Sequence, residues 1–152
     1  MKLTIVSGRS GSGKSVALRI LEDLGYYCVD NIPVNLLPAL THTVINDYDT
    51  VAVSLDVRNL PNDPKDVSEI LDYLPKTVEL NILYLDADDS DLIKRFSETR
   101  RLHPLIRQNI ALDQALSLEK KLLEPISSRA HLYINTSQLT PHQLADLVRE
   151  RI

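Results

Sequence analysis

Gly8-Arg9-Ser10-Gly11-Ser12-Gly13-Lys14-Ser15 is the stretch that decides the fold. Two glycines, a lysine and a hydroxyl residue stand at the offsets GxxxxGK[ST], and a chance match in a chain this long is on the order of one in a hundred or rarer. Each position has a physical task. The glycines let backbone amides converge on a β-phosphate, Lys14 can reach the β- and γ-oxygens, and the Ser15 hydroxyl can ligate Mg²⁺. The whole run, Gly8, Arg9, Ser10, Gly11, Ser12, Gly13, Lys14 and Ser15, is therefore expected to cradle phosphate, with Ser15 on the metal. A turn that merely joined a strand to a helix would have no need of Lys14.

The flanks fit this reading. Leu3-Thr4-Ile5-Val6 reads as a short buried strand, and Val16, Ala17, Ile20, Leu21 and Leu24 follow the motif at helical spacing up to Gly25. Further strands are expected at Tyr26 to Val29, Val51 to Asp56, Asn81 to Asp86 and Leu132 to Asn135. Helices are expected through Leu36, Leu37, Leu40 and Val44, over Pro64 to Leu74, Asp89 to Thr99 and Leu112 to Ala130, and after Thr140-Pro141, where threonine caps and proline takes the first helical position. Continuous apolar strands separated by helices imply right-handed crossovers and a mainly parallel sheet covered on both faces. The expected class is α/β, a three-layer α/β/α sandwich of the P-loop NTPase, nucleotide-kinase-like kind.

Length and composition agree. The chain has 152 residues, 43% hydrophobic and 25% charged, which suits one domain spanning 1–152 with a substantial core. The net charge of -4 denies it the broad basic field of non-specific nucleic-acid binding, so RNA contact through this part would be local. The single cysteine, Cys28, excludes an intrachain disulfide and multi-cysteine zinc patterns, and its apolar neighbours suggest a buried structural thiol. The apolar start Leu3 to Val6 is too short for a secretory segment and no stretch approaches membrane-spanning length, which points to the cytoplasm. The last helix runs to Ile152 without a stop signal, as expected of the N-terminal half of a longer protein.

Beyond the motif, Asp56 and Asp86 end apolar strands at the sheet edge where parallel folds bind ligands. Either of them, or Asp30, could hold Mg²⁺ together with Ser15; Asp56 is the first choice. Asp56-Val57-Arg58-Asn59 puts an acid, a base and an amide together, able to accept from guanine N1 and N2 and donate to O6, N7 or phosphate; a solvated loop is the other reading. Arg95, followed by the Arg100-Arg101 pair, resembles the lid region of small-molecule kinases, where arginines neutralise a transferred phosphate, and otherwise reads as a charged helix face. His103 lacks a partner at metal spacing and is expected at the surface or in a loop. Leu118 to Glu124 reads as an ordinary amphipathic helix with its charges on one face and leucines on the other.

Four blocks taken in order, Gly8 to Leu18, Gly25 to Pro33, Asp56 to Asn59 and Thr99 to Leu105, closely resemble the bacterial RapZ/YvcJ-type family of RNase adapter and nucleotide-binding proteins. The resemblance implies ATP and GTP binding with Mg²⁺, the phosphate loop at Gly8 to Ser15 and a GTP-associated motif at Asp56, Val57, Arg58 and Asn59. It implies an adapter that directs an endoribonuclease to a small RNA controlling amino-sugar synthesis, a homo-oligomeric full-length form, and at most weak ATPase or GTPase activity. Members are about twice this length, and their second half is thought to carry the RNA-binding surface. The competing reading is a metabolic kinase of the adenylate or shikimate type, with Arg95, Arg100 and Arg101 as its lid.

Overall fold

The computed structural model describes residues 1–63, 65–99, 102–105 and 110–152. Arg100, Arg101 and Pro64 lie outside the described residues. The strands are β1 (Lys2–Gly8), β2 (Tyr27–Val29), β3 (Thr50–Leu55), β4 (Glu79–Asp86) and β5 (Leu132–Asn135). The helices are α1 (Lys14–Asp23), α2 (Leu37–Val44), α3 (Lys65–Asp72), α4 (Asp89–Thr99), α5 (Leu112–Leu122), α6 (Glu124–Ser127) and α7 (Pro141–Arg151), with 3-10 turns at Val34–Leu36 and Val57–Asn59.

All five strands form one sheet in the order β2-β3-β1-β4-β5, and every pairing is parallel. The register sets Ser7 beside Leu55, Gly8 beside Leu85 and Asp86 beside Asn135, so the strand C-termini open along one edge. Side chains alternate between two apolar layers, as strand geometry dictates. Leu3, Ile5, Val53 and Ile82 pack with Leu37, Val67, Leu71 and Ile126 on one face. Val6, Ala52, Leu83 and Ile134 pack with Ala17, Leu21, Leu144 and Val148 on the other. This is the expected three-layer sandwich, and the strand order breaks outward from β1, so the loop after β1 lies at the topological switch point.

Two expectations change. The stretch Leu112 to Ala130 is two helices, because Pro125 enters in the first turn of α6 and the chain passes through Leu123 with φ -86° and ψ -4°. Pro38 sits in the first turn of α2, where a missing amide hydrogen costs no helical bond. Cys28 is half-buried; burial pushes its thiol up to about 11, with the Glu22 charge adding to the effect.

Candidate functional site

The phosphate-loop sequence leaves β1 at Gly8 and enters α1 at Lys14. Two of its glycines are obligatory. Gly8 has φ 149°, and a Cβ there would lie 2.0 Å from the Leu85 carbonyl oxygen. At Gly13, φ is 112° and a Cβ would meet Leu144 Cδ2 at 2.8 Å. Gly13 is also the N-cap of α1, with no side-chain capping bond and no acid in the first turn. Helix geometry leaves the first amides of α1 without intrahelical acceptors, and the positive end of the helix dipole sits there. The result is an uncapped anion seat, with the exposed Ser15 hydroxyl beside it.

The loop around this seat is tied on every side. Arg9 is 2% exposed and turns inward: Nε donates to Asp86 at 2.8 Å, Nη1 to Asp89 at 2.6 Å and Nη2 to the Ala87 carbonyl at 2.8 Å. Its side chain thus anchors the loop to the β4–α4 junction. Arg95 donates to the Gly11 carbonyl at 2.8 Å and the Thr136 carbonyl at 2.9 Å, while Thr136 Oγ1 donates to the Ser12 carbonyl at 2.7 Å. Arg95 therefore stands beside the loop, with its donors engaged by the Gly11 and Thr136 carbonyls. At the apex, the Ser10 amide and hydroxyl both donate to Glu119.

Lys14 folds back onto its own loop, donating to the Gly8 carbonyl at 2.7 Å and the Arg9 carbonyl at 3.3 Å. Burial pushes its ammonium below the ordinary value, an effect opposed by the nearby carboxylates of Glu119, Asp56 and Asp30. An arriving phosphate would restore that charge's stabilisation.

A cavity of about 590 Å³ opens over the loop, with Gly13, Lys14 and Ser15 on its floor. Asp30, Ser54, Asp56 and Arg58 form one wall, and Phe96, Leu102 and Pro104 another. A smaller cavity of about 220 Å³ lies on the α7 side of the loop, between Arg95, Leu139 and Pro141.

Of the segment Asp56 to Asn59, Asp56 and Arg58 line the cavity over the phosphate loop, while Val57 is buried against Leu105 and Ala115. Within the segment, Asp56 caps the 3-10 turn by accepting the Arg58 amide at 2.8 Å, and Asn59 Oδ1 accepts the Asp56 amide at 2.9 Å. The Arg58 guanidinium closes on the same carboxylate, at 2.5 Å from Nη2 and 3.0 Å from Nε. A guanine edge or a metal ion would compete with Arg58 for Asp56. Beside it, Ser54 Oγ donates to Asp30 and accepts the Asn31 amide at 2.8 Å. Asp86 leaves the set of metal candidates: it is 5% exposed on its side chain and holds Arg9, the Ala87 amide and the Tyr133 hydroxyl. Among the described residues no three His, Cys, Asp or Glu side chains converge as a self-sufficient metal site. The donors present suit Mg²⁺, which typically takes one or two protein oxygens and fills its octahedron with phosphate and water.

Two residues escaped the sequence reading. His103 lies in a loop, one of the two places expected for it, but it is 1% exposed rather than at the surface, and its Nε2 lies 2.8 Å from Glu119. Glu119 is fully buried on α5 beside Ala115 and Leu116, not on the charged face. The helical period held the signal: residues 112, 115, 116, 119 and 123 form one stripe, and position 119 is its only acid.

The family described as RapZ-like N-terminal domain matches residues 1–152. A "nucleotide-binding protein" of Colwellia psychrerythraea is 82% identical over the whole chain, which covers 54% of that relative. The "RNase adapter protein RapZ" of Photorhabdus laumondii is 53% identical, again over the whole chain and 54% of its own length. The chain thus spans about half the length of the curated relatives it matches. A sugar kinase from Janibacter sp. shares the fold with TM-score 0.65 at 14% identity, covering 99% of this chain and 93% of that one. The chain belongs to the RapZ-like N-terminal domain family.

Proposed function

We propose that this RapZ-like N-terminal domain is a nucleotide-binding regulatory module, taking ATP or GTP with Mg²⁺, within a cytoplasmic RNase adapter protein. The observation that carries the reading is the uncapped start of α1 at the floor of a cavity, with Lys14 and Ser15 both lining it. In this reading, the amides of Gly11 to Ser15 receive the phosphates, Lys14 exchanges the carbonyls of Gly8 and Arg9 for phosphate oxygens, and Ser15 with Asp56 or Asp30 holds the metal. Mg²⁺ supplies neutralisation of the β- and γ-phosphate charge. The domain is read as one part of a longer, homo-oligomeric chain whose small-RNA and endoribonuclease contacts govern amino-sugar synthesis; the names borne by the relatives support the adapter half of that statement. Hydrolysis is at most slow.

Where the base goes has two readings, each with an observation behind it. The smaller cavity between Arg95 and Pro141 offers a partly apolar slot beside Gly13. Asp56 and Arg58 offer a polar edge within the larger one, as the guanine reading requires.

Calorimetry with Mg²⁺ and ATP or GTP tests the proposal. Lys14→Ala is expected to abolish binding while the protein still unfolds cooperatively; unchanged affinity removes the central claim. Rapid turnover that depends on a hydroxylated phosphate acceptor would favour the small-molecule-kinase alternative.

A further inference from the structure

The apex of the phosphate loop and a wall of the cavity above it share one anchor. Glu119 receives the Ser10 amide at 3.0 Å and the Ser10 hydroxyl at 2.7 Å. Its third partner is His103, and the proton on that bond can be placed. The Leu105 amide donates to His103 Nδ1 at 3.0 Å, so Nδ1 is the acceptor and Nε2 carries the hydrogen that points at Glu119. Three donors therefore converge on one buried carboxylate. A carboxylate accepts from all three; a glutamine would aim its NH₂ at one of them and keep the pairing only if the Ser10 hydroxyl turned from donor to acceptor.

The segment holding His103 alternates in direction. Leu102 and Pro104 line the cavity over the loop, while His103 between them turns inward, 5.4 Å from the Phe96 ring. Fixing His103 fixes that wall, and fixing Ser10 fixes the floor's edge.

We infer that Glu119 is a positioning residue of the phosphate site, which ties the loop apex to the 102–105 wall so that a bound nucleotide and that wall respond to each other. The inference rests on the nucleotide reading above. It assigns no contact between Glu119 and the ligand. Glu119 and His103 give the apex a hydrogen-bonded route to the Leu105 amide, which makes that amide a reporter.

The test is site-resolved hydrogen exchange with Mg²⁺ and saturating imido analogues of ATP and GTP. In the unmodified protein, ligand is expected to slow exchange at Gly13 to Ser15 and to change it at Leu105 by roughly threefold to tenfold, the worth of one neutral hydrogen bond. In Glu119→Leu, which can accept from neither Ser10 nor His103, the Leu105 response is lost while that at Gly13 to Ser15 remains detectable. His103→Asn cuts the tie from the other end, because the shorter amide can still accept from Leu105 but no longer reaches Glu119; it should give the same result. A Leu105 response that persists in either folded variant overturns the proposal. So does a silent Leu105 in the unmodified protein whose loop amides respond, an outcome that needs no variant to fold. Silence at Gly13 to Ser15 as well refutes nucleotide binding itself, and the coupling with it.

Discussion

Arg9→Met removes a guanidinium from the interior and leaves its carboxylate partner behind. Arg9 and Asp86 are 2% and 5% exposed on their side chains and meet at 2.8 Å. Breaking such a pair from one side costs about 3–5 kcal/mol, because the remaining charge stays buried without its counter-charge. The Ala87 amide and the Tyr133 hydroxyl still serve Asp86, which favours the lower end of that range. Asp89 adds little, since its side chain is 62% exposed and water replaces the lost partner. Methionine retains most of the apolar stem, so the loss reports on charge and hydrogen bonding rather than on a void. For a domain of this size about 3 kcal/mol lowers the melting temperature by roughly 6–12 °C. Urea unfolding of the single variant and of Arg9→Met with Asp86→Asn provides the measure. The second change should return much of the loss, because no charge is then stranded. A loss below about 1 kcal/mol, or a double variant no better than the single one, would refute the anchoring role and return Arg9 to the list of residues directed at phosphate.

Nucleotide affinity should fall as pH rises toward the depressed value of Lys14. The sign follows from the binding form: phosphate takes the ammonium, and burial makes the ligand-free protein lose that proton earlier than an ordinary lysine does. Calorimetry between neutral pH and pH ~10 should show proton uptake on binding in the alkaline arm, and a flat profile would contradict it. Gly8→Ala should cost at least about 1–3 kcal/mol and abolish binding, since the added Cβ meets backbone at 2.0 Å with φ at 149°; retained affinity would be the contrary result. Asp56→Asn keeps a capping oxygen for the Arg58 amide but discharges the carboxylate, so GTP should weaken more than ATP if guanine is read there. Equal losses would assign Asp56 to the metal. Cys28, with its thiol pushed up to about 11, should resist iodoacetamide in the folded protein at pH 8 and react on unfolding.

The fold was legible because its signals are local and repeated. Apolar runs such as Val51 to Leu55, whose one polar residue, Ser54, is itself buried, suit a strand covered on both sides, and each of the expected runs became a parallel strand. The strand–turn–helix geometry of Gly8 to Ser15 was legible for a similar reason: its glycine requirements sit within one short segment, where spacing is geometry. What failed to show was long-range pairing between oppositely signed or neutral polar groups. Arg9 looks like a phosphate ligand until the β4–α4 junction brings Asp86 and Asp89 to it, 77 and 80 residues away. Asp86 looks like a metal ligand until the same contact uses it.

Glu119 shows why such residues are hard to read and why their placement matters. An acid on an apolar stripe costs several kcal/mol unless its partners are built in, so its burial demands donors from elsewhere in the fold. Those donors are Ser10, in the phosphate loop, and His103, in a segment that the sequence alone left unpartnered. A domain that only bound nucleotide could have packed leucine at this position and capped the loop locally. Placing a buried carboxylate there instead makes the loop's conformation depend on a segment 93 residues away, from Ser10 to His103. That dependence is what a sensing module requires: phosphate at α1 has a covalently remote wall through which its presence can be felt, whereas a loop pinned only by its own turns would keep the information to itself.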